Sequence, residues 1–178
     1  MSEIVIRPVT TAADLAAVVD LCWAYRDFLY NFGPTEQRIV ETFYPQEKYS
    51  ALMGRLAEEH GRPRGIILLA EREGEPLGCG MSHALSGTES EIKRVFVSDA
   101  ARGTGAGRAI CKRLIDQARE DGFEKVYLDT SIAFAPARAL YRSLGFIERG
   151  PYQPMPDFAR EAICFYELPL TRASLDAG

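Results

Sequence analysis

The densest run of chemically suggestive residues is Arg102-Gly103-Thr104-Gly105-Ala106-Gly107-Arg108. An apolar stretch, Val95-Phe96-Val97, precedes it, and Ala106, Ile110, Leu114 and Ala118 recur behind it at helical spacing. This pattern predicts a strand that passes through a tight turn into an amphipathic helix. The first turn of a helix carries backbone N–H groups without intrahelical acceptors, and the helix dipole adds about half a positive charge there. Glycine lets the main chain approach a phosphate with no Cβ in the way. A pyrophosphate fits such a turn, although on the glycines alone a plain turn before a helix explains the pattern as well. The run lacks the Lys-Ser/Thr pair of a P-loop, and it lacks the first strand and downstream acidic residue of a dinucleotide fingerprint. Nucleotide hydrolysis and hydride transfer are therefore excluded.

The elements that must position this turn can be read outward from it. Downstream, the spacing predicts a helix from about Gly105 to Asp121, a strand Lys125–Thr130 and a helix ending near Leu144, with Gly145 as its stop. Two closing strands, Phe146–Tyr152 and Ala162–Leu168, flank a loop that holds Pro154, Pro156 and Asp157. Upstream, Ile66–Glu71, Leu77–Ala84 and Glu91–Val97 read as an antiparallel meander whose first hairpin turns at Glu73-Gly74-Glu75-Pro76. The chain opens with a short apolar segment, Ile4–Ile6. Thr11 and Asp14 then form a capping arrangement for a helix with Leu15, Val18, Val19, Cys22 and Leu29 on one face. Asn31-Phe32-Gly33-Pro34 breaks that helix, and a second amphipathic stretch carries Tyr49, Leu52, Met53, Leu56 and His60.

Arg-x-x-Gly-x-Gly behind an apolar strand, followed by Ala137-x-x-Leu140-Tyr141-x-x-x-Gly145-Phe146, resembles the GNAT superfamily of N-acetyltransferases. The resemblance runs from the first strand to Leu168 and is most specific at residues 91 to 108 and 126 to 146. Lys93-Arg94 and Leu128-Asp129-Thr130 are similar to a group of small bacterial members with poorly defined acceptors. The resemblance implies an α+β fold in α/β/α layers, with a mixed, mostly antiparallel central sheet whose strands 4 and 5 splay apart. It implies acetyl-CoA as co-substrate, with the pyrophosphate on the main chain of Arg102, Gly103, Thr104, Gly105, Ala106, Gly107 and Arg108. The pantetheine arm would run along Val95, Phe96 and Val97, opposite Thr130 and Tyr141. Members often carry an Asn where Phe134 stands, so a side-chain contact to pantetheine there is in doubt. Pro136 lies near that helix start, where a missing N–H costs little.

Amide formation from a thioester needs a neutral amine, a place for oxyanion charge and a proton for the departing thiolate. The resemblance assigns Tyr141 as the general acid; its apolar helical neighbours suit a core tyrosine equally. It assigns Glu91 as the base, against a surface carboxylate paired with Lys93, and His83 or a water chain stays open for the same task. The backbone N–H of Val97 is the family's oxyanion donor. A Lys-like amine is only about one part in 10³ neutral at pH 7, so a base is useful. Acceptor recognition would fall to Arg26, Tyr30, Tyr44, Tyr49 and Tyr152 in the first helices and the C-terminal hairpin. The rival reading is a non-catalytic acyl-CoA sensor or scaffold; a transferase for a different acyl-CoA is a third.

The whole chain is compatible with this. Its 178 residues suit one domain, 1–178, and 47% hydrophobic with 26% charged residues is the composition of a folded globular protein. A net charge of −4 opposes broad nucleic-acid binding. Cys22, Cys79, Cys111 and Cys164 are scattered, which predicts buried free thiols and neither a metal site nor a disulfide framework. No apolar stretch approaches the ~20 residues of a membrane span and no leader pattern opens the chain, so the cytoplasm is the expected location. The expected partner is an amine, small molecule or peptide, with a homodimer among the assemblies the resemblance allows.

Overall fold

In the computed structural model of the chain, residues 2–170 are described. Among them are seven strands and seven α-helices, and the contacts divide the chain into two compact units. The first comprises residues up to His83 together with Ile92–Leu114; the second comprises Ala84–Glu91 and the chain from Ile115 onward.

The first unit opens with β1 (Val5–Pro8) and α1 (Ala12–Phe32). Thr11 caps α1 as its sequence predicts: its hydroxyl accepts from the Asp14 N–H, and the Asp14 carboxylate accepts from the Thr11 N–H in return. Gly33 ends α1, and Pro34 starts α2 (Pro34–Phe43), a helix that the sequence pattern did not predict. Proline at a first helical position forfeits an N–H that has no acceptor there, so the residue that breaks one helix begins the next. The amphipathic stretch expected around residues 49 to 60 is two helices, α3 (Gln46–Met53) and α4 (Leu56–His60), interrupted at Gly54-Arg55. Three strands follow: β2 (Ile66–Arg72), β3 (Glu75–Ala84) and β4 (Glu89–Val97). The β2–β3 hairpin turns where predicted, with Glu73 at φ 53° and Gly74 at φ 81°. In this unit the strand order is β1-β2-β3-β4, with β1 and β3 both antiparallel to β2.

Val18, Cys22, Tyr49, Met53, Leu56, Ile67, Leu69, Cys79 and Met81 form the core of this unit. The helix α5 (Ala106–Glu120) lies so close to β3 that a Cβ on Gly80 would stand 2.5 Å from Ile110 Cγ2. Gly80 therefore sets how near α5 can come to β3.

The second unit takes the first residues of β4, the end of α5, β5 (Lys125–Ser131), α6 (Ala135–Ser143), β6 (Ile147–Arg149), α7 (Asp157–Ala162) and β7 (Ile163–Pro169). Its strand order is β4-β5-β7-β6. The β4–β5 pair is parallel and its ladder holds Glu89↔Lys125, Ser90↔Val126 and Glu91↔Tyr127, although β5 runs on to Ser131. A ladder that stops this early is what splayed strands require. β5 and β6 are both antiparallel to β7, so the mixed, mostly antiparallel sheet of an α+β fold is present as expected. Gly145, at φ 96°, ends α6 as predicted, and Pro136 sits in its first turn. The strand expected over Phe146–Tyr152 contracts to β6, and the chain then bends at residues 150 to 153. The loop expected before β7 contains α7, whose start at Asp157 follows Pro156.

Candidate active site

The glycine turn has the predicted form. Gly103 (φ 74°) and Gly105 (φ 85°) both occupy the left-handed region, and nothing lies within 4 Å of where a Cβ would stand on either. Side chains are excluded here by backbone conformation, and the space above the turn is open. The first intrahelical bond of α5 runs from the Ala109 N–H to the Gly105 carbonyl at 3.0 Å. Helix geometry thus leaves the N–H groups of Ala106, Gly107 and Arg108 pointing out of the helix start. Residues 102 to 105 are exposed, and Arg102 reaches sideways, pairing with Asp99 at 3.0 Å and lying 5.1 Å over the Phe28 ring. Val95, Phe96 and Val97 occupy the last positions of β4, the strand that enters the turn. The chemistry of the turn fits a diphosphate: main-chain donors, a helix dipole and no Cβ.

In the second unit Glu91 is 1% exposed, which overturns its reading as a surface carboxylate. The Tyr152 hydroxyl donates to Glu91 Oε2 at 2.5 Å and stands 3.3 Å from Asp129 Oδ2 on β5. A phenol has one proton to give, and the shorter contact identifies Glu91 as its acceptor. Burial, then the charges of Asp129 and Glu91, push the Tyr152 ionisation far above the ordinary tyrosine range, so the phenol stays a donor at any physiological pH. Its ring stacks on Tyr127 at 4.7 Å between centroids, and the Tyr127 hydroxyl donates to Glu89 Oε1 at 3.0 Å. Beside the stack opens a cleft of about 490 Å³ lined by Glu89, Tyr127, Arg149, Tyr152 and Gln153 among others.

Tyr141 lies on α6 at 8% exposure, its ring 6.0 Å from those of Phe146 and Tyr166. Thr130 pairs with Cys164 across the β5–β7 ladder and is half-buried. Phe134 is the residue before α6 and makes no side-chain cap, in keeping with the absence of an Asn there.

Of the residues singled out for acceptor recognition, the fold brings Arg26 and Tyr44 together: Arg26 Nε donates to the Tyr44 carbonyl at 2.9 Å. Tyr49 is a core residue, 3% exposed, with its hydroxyl on the Cys22 carbonyl at 2.7 Å. Tyr30 is an exposed link between the first helices, accepting from Gln37 at 3.1 Å and lying 3.4 Å from Glu41. His83 is half-buried with its ring 5.1 Å from that of His60. The four cysteines are free and buried as predicted. Among the described residues no group of His, Cys, Asp or Glu could hold a metal ion, and no helix is long and apolar enough to cross a membrane.

Three residues escaped the sequence reading as parts of a site: Asp129, Arg94 and His60. Asp129 and Arg94 do belong to the short signatures Leu128-Asp129-Thr130 and Lys93-Arg94, which were the available signal. His60 gave none beyond its place at the end of an apolar helical pattern.

Comparison with known proteins agrees with this architecture. A family model for the acetyltransferase (GNAT) family matches residues 23–146, and the chain belongs to that family. It is 41% identical over 130 residues to a protein named IAA acetyltransferase from Azospirillum brasilense, a stretch that covers 68% of this chain and 85% of the relative. It is 35% identical over 94 residues to the uncharacterized N-acetyltransferase YjgM of Escherichia coli, covering 51% of this chain and 56% of that one. Among solved structures, a GNAT-family acetyltransferase from Staphylococcus aureus Mu50 superposes with a TM-score of 0.74 at 16% identity, over 95% of this chain and 100% of the other. YncA from Salmonella typhimurium, a putative acetyltransferase solved with acetyl-CoA, gives a TM-score of 0.64 at 22% identity over 98% of each chain. At these identities the two structures establish a shared fold.

Proposed function

We propose that the chain is an acetyl-CoA-dependent N-acetyltransferase acting on the primary amine of a small molecule or peptide by direct attack, with its two units working as a single catalytic domain in the cytoplasm. The observation that carries the reading is the glycine turn at the start of α5, whose left-handed glycines and outward N–H groups suit a coenzyme A diphosphate. The α5 start would hold the diphosphate, and the edge of β4 at Val95, Phe96 and Val97 would take the pantetheine arm, with Thr130 and Tyr141 as further proposed coenzyme contacts.

Acetyl-CoA supplies an activated acetyl thioester. Glu91, held by Tyr152, accepts the proton that the amine loses as its nitrogen bonds to the carbonyl carbon. The Val97 N–H stabilises the charge that builds on the carbonyl oxygen. Tyr141 returns a proton to the sulfur as the C–S bond breaks, leaving an amide and a free thiol. None of the four cysteines is needed as a nucleophile, since each is buried. Burial also pushes the Cys111 thiol up to about 12, which disfavours its nucleophilic thiolate form.

The test is release of free thiol from acetyl-CoA by the purified chain with a panel of amines. Steady turnover with any of them is the expected result. Coenzyme A binding with no turnover across the panel would replace the enzyme by an acyl-CoA sensor. Turnover with propionyl- or succinyl-CoA in preference to acetyl-CoA would change the donor.

A further inference from the structure

Two arginines of the first unit meet around one tyrosine, and neither has a carboxylate partner among the described residues. Arg26 on α1 uses Nε for the Tyr44 carbonyl, and its guanidinium carbon lies 5.8 Å from the Trp23 ring and 5.9 Å from the Tyr49 ring. Arg94 on β4 lies 6.0 Å over the Tyr44 ring and is half-buried. Its Nη1 approaches His60 Nε2 at 3.2 Å and Met81 Sδ at 3.8 Å. Among the described residues neither guanidinium lies within ion-pairing distance of an Asp or Glu, although the chain carries an excess of acidic residues.

His60 explains how Arg94 is held without being neutralised. His60 Nδ1 lies 3.1 Å from the Ser82 carbonyl, which can only accept, so Nδ1 carries the proton. Nε2 then presents a lone pair, and Arg94 donates to it. Burial, with the Arg94 charge adding to it, drives the His60 pKa down to about 3, so the ring is neutral at physiological pH. Arg94 is therefore oriented by an uncharged acceptor and keeps its full positive charge.

A structural arginine in the same unit is treated in the opposite way. Arg7 is gripped by the carboxylates of Asp14 at 2.8 Å and Glu71 at 2.9 Å, which use its N–H groups and cancel its charge. The Arg94 backbone carries a further cost, since its φ of 51° places a long side chain in the left-handed region within a strand. Such strain persists where a side chain must be aimed away from the regular pleat. Arg94 also lies on β4 between Glu91 and Val95, the proposed base and the first residue of the proposed pantetheine edge.

We propose that Arg26 and Arg94, gathered at Tyr44, bind an oxyanion carried by the acceptor, so that the enzyme selects amines bearing a carboxylate or phosphate over neutral amines. The inference rests on the acetyltransferase reading and adds the acceptor's charge class to it. Planar guanidinium forks match the paired oxygens of either anion, and the half-buried aromatic surround strengthens the pairing.

The experiment compares matched acceptors in the thiol-release assay: a series of amino acids against their amides, and phosphoethanolamine against ethanolamine. The wild-type KM is expected to be about tenfold or more lower for the charged member of at least one pair, and which pair responds tells carboxylate from phosphate. Arg26→Gln and Arg94→Asn should each erase that preference, raising the KM of the charged member far more than that of its neutral partner. Asn tolerates the left-handed backbone, which guards Arg94→Asn against misfolding. Equal KM values for charged and neutral partners in the wild type, or variants that weaken both alike, would overturn the proposal. Should no amine turn over, calorimetric titration of the same pairs separates the two ideas. Arg26-dependent preference for the anion would keep the anion site and discard the transferase, and its absence would remove the anion site.

Discussion

The glycine turn at residues 102 to 108 and the Glu91–Tyr152–Asp129 cluster are built by opposite means. The turn is made of main chain over a few consecutive residues and is exposed, and its proposed role rests on the backbone alone: no Cβ at Gly103 and Gly105, and a helix start whose first intrahelical bond comes only at the Ala109 N–H. The cluster is made of side chains, is largely buried, and joins residues 61 and 23 positions apart in sequence. A site made from backbone tolerates change in side-chain chemistry but not in conformation. A site made from side chains has the reverse sensitivity, because a single atom sets each contact. The two should therefore fail differently when altered.

The largest expected effect is at the turn. Gly105→Glu forces a side chain into φ 85° and sets a negative charge beside the helix start, and coenzyme A affinity should fall by about 10³-fold or more. Calorimetry that finds undiminished affinity would refute the phosphate assignment. On the side-chain side, Tyr141→Phe should lower kcat by roughly 10² with coenzyme A affinity intact, since only a transferable proton is removed. An unchanged kcat would dismiss Tyr141 as the acid.

A smaller effect tests the cluster itself. Tyr152→Phe removes one hydrogen bond to Glu91 while keeping the ring stack, and kcat/KM should drop about tenfold, one charge-assisted hydrogen bond's worth. Glu91→Gln should cost more, and in the double variant the Tyr152 change should add almost nothing. Independent, multiplying losses would break the idea that Tyr152 acts through Glu91.

The smallest effect concerns stability in the first unit. His60 has its pKa depressed to about 3, against an ordinary 6.5, by burial and the nearby Arg94 charge. Between those values the unfolded chain binds a proton that the folded chain refuses, so this contribution to stability is complete above pH 6.5 and falls as pH drops through the window. His60→Gln should flatten the stability–pH curve there by about 1.4 kcal/mol per pH unit, the slope of one proton. Urea titrations at pH 4, 5 and 6 check it, and an unaltered slope would mean that His60 is charged in the fold.

The contrast between turn and cluster also governs how much was legible in the sequence. The Thr11–Asp14 cap, the Glu73-Gly74 turn, the Gly145 stop and the glycine turn itself are local devices, and each lies where its residues predict. The misses are where tertiary context decided. α2 begins on the proline read as a breaker, α7 fills a supposed loop, and β6 keeps only Ile147–Arg149 of a longer apolar run. Tyr49 and Tyr44 looked alike as acceptor candidates, yet one is core and the other a partner of Arg26.

By itself the sequence determined most of the strands and helices, the form of the glycine turn and the family, because these depend on spacing among near neighbours and on the conformational freedom of glycine. Only the tertiary structure decided that Glu91 is buried against Tyr152, that Asp129 joins them, and that Arg94 meets a neutral His60 with no carboxylate among the described residues to cancel its charge. Those facts depend on which distant side chains share a desolvated space, and a pairing across tens of residues leaves no periodic trace in a single chain.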